Sequence, residues 1–279
     1  MEKHKFRCSS LGKITVGASL KPLPLTEIQA KKLAELREKG SESQERKKLE
    51  QKLIEVPTPK LSSGAKTYIE SVWYGLKFDF QKQFTNKFVQ KGNQVENASI
   101  VQLRKLGIWG VKNEERFEND WIKGTPDVLV KNPACTIDTK NVYYPDGLGF
   151  FEDEPINDYI WQIHGYNFLD GNTTGFIAKI LMNPPADILE KEVWNYWKAG
   201  HNEGRPNEKF ALEIEEYFNF ERLPIQDRVK LYKIETTDEH KEIIKIWTDL
   251  ARDYMAELDE IDKQKNIIEL DFFKQKQIA

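Results

Sequence analysis

A chain of 279 residues, 39% hydrophobic and 31% charged, is long enough to bury a core as one large domain or two small ones. No apolar run reaches the length of a bilayer span. The opening MEKHKFRCSS has no apolar segment behind its basic residues, so neither a membrane helix nor a secretory signal is expected. A formal charge of −3 does not announce a nucleic-acid binder, and it does not exclude one, because carboxylates gathered at a metal site offset basic patches elsewhere in the sum.

In chain order, a short polar cluster from Arg7 to Lys13 leads to Pro22 and Pro24. Thr26 opens a charged helix, with Gln29 at capping-box spacing, that stops near Gly40. A second helix runs from about Ser43 to Ile54 and ends before Pro57 and Pro59. Residues 22–60 thus form a charged helical hairpin, read as a solvated excursion or, alternatively, as an arm that touches DNA. Helices follow over about Gly64–Gly75 and Phe84–Leu106. The pattern then turns to β-type runs at Thr125–Val130 and Cys135–Tyr143, separated by a turn at 131–134. A helix over Asn157–Leu169, a strand over Thr174–Leu181, a helix over Ile188–Ala199 and a strand over Arg228–Glu235 come next. Residues 238–265 form a long amphipathic helix, with Ile243, Trp247, Leu250, Tyr254, Leu258 and Ile261 on one face as core or oligomer contact. The order implies an α+β (α/β) architecture with a mixed central sheet flanked by helices.

The chemistry concentrates in Gly124–Lys140. With a four-residue loop at 131–134, Val130 pairs with Cys135 and Asp127 lies opposite Asp138. Side chains so opposed share a face, with Cβ atoms roughly 4.5–5.5 Å apart. Lys140, two residues on, points the same way. Two facing carboxylates repel, and a divalent cation reverses the sign of that interaction. Hard oxygen donors suit Mg²⁺ or Mn²⁺. A neighbouring ammonium orients or deprotonates a water, or stabilises charge on phosphoryl oxygens, which is the equipment of metal-assisted phosphodiester hydrolysis. A solvated hairpin pair and a surface lysine are the plain alternatives. Cys8 and Cys135 make no CxxC pair, the four histidines (His4, His164, His201, His240) show no zinc spacing, and no phosphate-binding P-loop occurs. A reducing, cytoplasmic setting is expected.

Pro126-Asp127 followed by Asp138-Thr139-Lys140 resembles the signature of the PD-(D/E)xK nuclease superfamily. Glu96, in Lys91-Gly92-Asn93-Gln94-Val95-Glu96, matches the glutamate that family members carry on a preceding helix. Gln162 and Tyr166 match a Q-x-x-x-Y motif, and share a helix face at i, i+4. Ser9-Ser10-Leu11-Gly12-Lys13-Ile14 is similar to the opening segment of the phage lambda exonuclease type and the YqaJ-like viral recombinases. The resemblance spans residues 6–14 and 92–181 and is silent on the hairpin and the last helix.

What the resemblance implies is a single restriction-endonuclease-like nuclease domain over 1–279. Asp127, Asp138, Glu96 and the main-chain carbonyl of Thr139 would hold metal, Glu96 serving a second ion or one of the waters. Lys140 would handle the attacking water, and Gln162 would orient Lys140 or the scissile phosphate. Tyr166 would assist, or would be core. Arg7 and Ser9 would bind the 5′-phosphate of a DNA end. The implied activity is 5′-to-3′ exonuclease action on linear duplex DNA in phage-type recombination, with a single-strand annealing partner and a ring-shaped homo-oligomer. A structure- or sequence-specific endonuclease of the same superfamily, and a non-catalytic DNA-binding protein on the same fold, stay open.

Overall fold

The computed structural model describes residues 3–80, 85–200 and 204–276, with side chains as far as 264. The expected helix start at Phe84, and His201, lie outside the described residues. The elements in order are β1 (Phe6–Arg7), α1 (Leu11–Ile14), α2 (Glu27–Glu38), α3 (Gln44–Lys52), α4 (Ser63–Lys77), α5 (Lys87–Lys105), β2 (Gly110–Lys112), β3 (Phe117–Glu118), β4 (Ile122–Gly124), β5 (Val128–Lys131) and β6 (Ala134–Val142). Then come α6 (Asn157–Asp170), β7 (Thr174–Leu181), α7 (Ala186–Gly200), α8 (Glu208–Tyr217), β8 (Val229–Glu235) and α9 (Asp238–Lys276).

The main sheet has the order β2-β5-β6-β7-β8, with β6 and β7 parallel and the other pairs antiparallel. Parallel neighbours need a crossover, and α6 supplies it. Its two faces carry different cores. Val128, Ile137, Ala178 and Ile180 pack under α5 with Val95, Ile100 and Leu103. Ile177, Tyr232 and Ile234 pack with Ile163 of α6 and Ile243, Ile244 and Trp247 of α9. Strand alternation sends neighbouring β6 side chains to opposite faces: with Ile137 facing α5, Asp138 and Lys140 face α6. Since α6 is packed from both sides, residues 161–167 are all buried, which explains why it shows no amphipathic stripe. A second sheet, β1-β4-β3, ties the N-terminus to the strand just before the Pro-Asp motif, with Arg7 beside Lys123 in parallel pairing.

The α+β architecture, with its mixed sheet between helices, matches the sequence reading, and so does the capping box at Thr26 and Gln29. Several boundaries do not. The strand expected from Thr125 begins only at Val128, as β5, because Pro126 cannot donate to a ladder and separates it from β4, which ends at Gly124. The turn expected over four residues is Asn132-Pro133 alone, since Lys131 also pairs with Ala134. The Val130–Cys135 register is as expected. Helix α9 continues past the expected 265 to Lys276. Its inner face is buried at Ile243, Trp247 and Ala251, whereas Ile261 is exposed. The short strands β1 to β3 and the helix α8 had no sequence signal. No helix among the described residues is long and apolar enough to cross a membrane.

Candidate active site

Asp138 sits in the middle of β6, 2% exposed, so burial fixes its chemistry. Its Oδ1 accepts from Gln162 Nε2 at 2.9 Å. Its Oδ2 lies 2.6 Å from Lys140 Nζ in an ion pair, but outside hydrogen-bonding geometry, and this buried oxygen receives no other donor. Burial, opposed by the charge of Lys140 and reinforced by Asp127 and Glu96, pushes the Asp138 carboxyl up to about 6. Burial lowers the Lys140 pKa, but Asp138 beside it outweighs that and leaves the ammonium above its ordinary range. Lys140 Nζ also donates to Gln162 Oε1 at 3.1 Å and stands 4.6 Å above the Tyr159 ring.

Asp127 lies one residue beyond the β5–β6 ladder, whose last pair is Val128 with Ile137. Its Oδ2 accepts from the Thr139 N–H at 2.7 Å and the Thr139 hydroxyl at 2.8 Å. Thr139 thereby clamps one oxygen of Asp127 in place. Glu96 comes over the site on α5, which is tied to β6 where Lys91 Nζ donates to Val142 O at 3.0 Å and Asn141 Nδ2 donates to Gly92 O at 3.4 Å. The Glu96 carboxylate is 3.4 Å from Lys112. Burial brings the Lys91 amine down to about 8. Glu96, Asp127, Asp138, Thr139, Lys140 and Gln162 all line one cleft of about 710 Å³.

The residues expected to act together are therefore together. Among the described residues, however, no three His, Cys, Asp or Glu side chains close into a preformed metal cluster. The donor set still suits a hard divalent cation. It offers two carboxylates, one of them deeply buried with an oxygen that lacks a hydrogen bond and faces only the Lys140 ammonium.

Tyr166 connects this cleft to a second one. Its hydroxyl accepts from Gln162 Nε2 at 2.8 Å, while its ring lines a pocket of about 310 Å³ with Arg7, Ser9, Arg116, Lys123 and Thr125. Tyr166 is thus both core, at 4% exposed, and a wall of the site. Arg7 and Ser9 are exposed and reach this place because α1 and the turn before it pack on α6. Burial and the neighbouring charges of Arg116 and Arg7 lower the pKa of Lys123, the signature of crowded cations.

Sequence reasoning missed Arg116, Lys123 and Thr125, which belong to no motif and meet Arg7 only through the β1–β4 pairing. It also missed Lys179, which lines the cleft of Asp127 and Asp138 because the parallel register sets it beside Lys140. His164, on the same helix as Gln162 and Tyr166, points away from the cleft: it is buried and stacked 3.9 Å from His240, with Nδ1 2.9 Å from the Thr236 hydroxyl.

No protein-family model and no curated protein matches the sequence. Solved structures do match. A phage-related exonuclease from Haemophilus somnus 129PT has a TM-score of 0.64 at 22% identity, over 92% of this chain and 96% of that one. An alkaline exonuclease (LHK-Exo) from Laribacter hongkongensis has a TM-score of 0.50 at 13% identity, over 75% of this chain and 89% of that one. The chain accordingly has the nuclease fold of these two exonucleases, with a central mixed sheet flanked by helices.

Proposed function

We propose that this protein is a divalent-metal-dependent deoxyribonuclease that digests linear duplex DNA from a 5′ end. The observation that carries the reading is the Gln162 side chain, which contacts Asp138, Lys140 and Tyr166 at once. It couples an acidic cleft to a basic pocket through one shared wall. A nuclease that grips a terminal phosphate and cuts beside it needs that adjacency.

Asp127, Asp138 and Glu96 would hold Mg²⁺ or Mn²⁺, with Thr139 as a further support. The bound cation would supply Lewis-acid polarisation of the phosphoryl group and neutralise its developing charge. Thr139 holds Asp127 in one orientation, so the carboxylate loses little freedom when a ligand arrives. Gln162 fixes Lys140 from the side, leaving other N–H donors of the ammonium for a phosphoryl oxygen. Arg7, with a planar two-pronged donor set, suits a phosphate at the far side of Tyr166. A 5′-to-3′ polarity would leave 3′ single strands, the material a single-strand annealing partner uses in recombination.

The test is digestion of linear, nicked and covalently closed duplex DNA with Mg²⁺, with and without chelator. Loss of linear duplex alone, abolished by chelator and restored by Mg²⁺ or Mn²⁺, is expected. Ready cutting of closed circles would make the protein an endonuclease. No cutting of any form, with DNA still bound, would make it a binding protein on a nuclease fold.

A further inference from the structure

A third cavity, of about 970 Å³, opens from the basic pocket and shares Arg7, Ser9 and Lys123 with it. Its far wall is the C-terminal end of α4 and the turn after it, with Tyr68, Tyr74, Phe78 and Phe80. Three of these rings face solvent: Tyr74 is 57% exposed, Phe78 62% and Phe80 66%. Tyr74 and Phe78 lie nearly parallel, 12° apart, with centroids at 6.2 Å. The turn is a built one. Asp79 adopts φ 46°, and the Phe80 N–H donates to Gly75 O at 2.9 Å, which sets Phe78 and Phe80 on the cavity side. Leaving three large rings in water costs free energy unless something covers them.

The surroundings say what covers them. Arg7 and Lys123 line the same groove with His4 and with Lys5, whose Nζ lies 2.7 Å from the Glu118 carboxylate, and Asp79 is the carboxylate of that lining. Burial and the charges of Lys123 and Arg252 lower the His4 pKa, a further sign of excess positive field at this end. A row of aromatic faces beside a row of cations is how proteins hold unpaired nucleotides: bases stack on the rings and phosphates track the charges. The cavity lies at the top of the roughly 300–1,000 Å³ range of small-ligand sites, so it has room for more than one nucleotide.

Resting on the nuclease reading above, we propose that this aromatic groove takes up the unpaired nucleotides of a single-stranded 5′ extension. The basic pocket is then a passage as well as a terminus. It holds a terminal phosphate on a blunt end and an internal phosphate on an extended one, with the extension running past Arg7 and Lys123 onto the rings.

The experiment measures binding to the full chain in chelator, so that no cutting occurs. The probes are a 5′-phosphorylated blunt duplex and the same duplex with a short 5′ extension carrying a fluorescent adenine analogue. We expect the extended duplex to bind about tenfold tighter, with the analogue quenched by stacking. In a Phe78→Ala/Phe80→Ala variant, the affinity ratio of extended over blunt duplex should fall to about one and the quenching should vanish. Phe78→Tyr/Phe80→Tyr should restore both. An unchanged ratio or unchanged quenching in the alanine variant would overturn the groove while leaving the nuclease reading intact. A change in sedimentation of the alanine variant, with equal affinity of wild type for both duplexes, would make the groove a contact between copies and overturn it too. Failure of the wild type to bind any DNA would overturn the nuclease reading itself, and the groove with it.

Discussion

At the scale of the residue, Asp138 shows what burial does to a carboxylate. Its carboxyl titrates at about 6 in the folded chain, raised first by burial, against about 3.9 for an exposed aspartate. The folded state therefore binds its proton more tightly than the unfolded state does. Below about pH 4 the group is neutral in both states; its penalty grows from there and is complete once the pH passes about 6. In chelator at pH 8, Asp138→Asn should melt at a higher temperature than wild type, and the gap should close toward pH 4. Added Mg²⁺ should raise the wild-type melting temperature and leave the variant's unmoved. A variant less stable than wild type at pH 8 would show that the Lys140 ion pair, not the burial of charge, dominates. Lys140→Ala should lower cleavage by about 10²–10³-fold while metal still shifts the melting curve; loss of metal binding with an intact fold would make Lys140 a structural support. The pairing of Asp138 with Lys140 was legible from strand alternation alone. The Thr139 clamp was not, because it depends on how the Asp127 side chain turns once it lies one residue beyond the last pair of the ladder, Val128 with Ile137, and strand alternation does not give that.

At the scale of the element, α6 is where distant segments become one site, and glycine makes the approach possible. A Cβ on Gly165 would lie 2.6 Å from Leu11 Cδ1 and 2.9 Å from Cys8 Sγ, both side-chain atoms. A Cβ on Gly12 would lie 2.5 Å from the Cα of Asp158, which is backbone and has nowhere to go. Gly12→Ala should therefore destabilise by about 1–3 kcal/mol, the range of an overpacked core. Gly92→Ala is the control. It lies within α5, and a Cβ there would meet nothing within 4 Å. It should stabilise by roughly 0.5–1 kcal/mol through helix propensity. Denaturant unfolding of the two variants checks the contrast; equal effects would mean that α1 does not press on α6 as described. Long elements such as β7 were readable because eight residues, all but Lys179 apolar or β-branched, leave few options. The strands β1 and β3 have two residues each, too few for any period to appear, yet β1 is what brings Arg7 to the site.

At the scale of the whole molecule, a net charge of −3 conceals a divided surface. Acids face the cleft of Asp127 and Asp138, while Arg7, Arg116 and Lys123 crowd the pocket on the other side of Tyr166. A sum over the chain cannot register that division, and two of the three cations had no motif to announce them. The division has a consequence for substrate choice. Clustered cations repel, so the pocket gains most from an anion of high charge density, and a terminal phosphate carries more charge than a bridging one. Duplex ending in 5′-phosphate should thus be digested faster than the 5′-hydroxyl form, by about 10–100-fold for one charge-assisted contact. Arg7→Ala should erase most of that preference, and Arg116→Ala should do so in part, with metal-induced stabilisation retained in both. Each substitution should also reduce the slope of log affinity against log salt by about one, because one fewer cation displaces counterions from the DNA. Rates compared on matched phosphorylated and hydroxyl ends, together with a salt titration, decide the matter. Equal rates on the two ends with an unchanged salt slope in Arg7→Ala would mean that DNA does not visit this pocket.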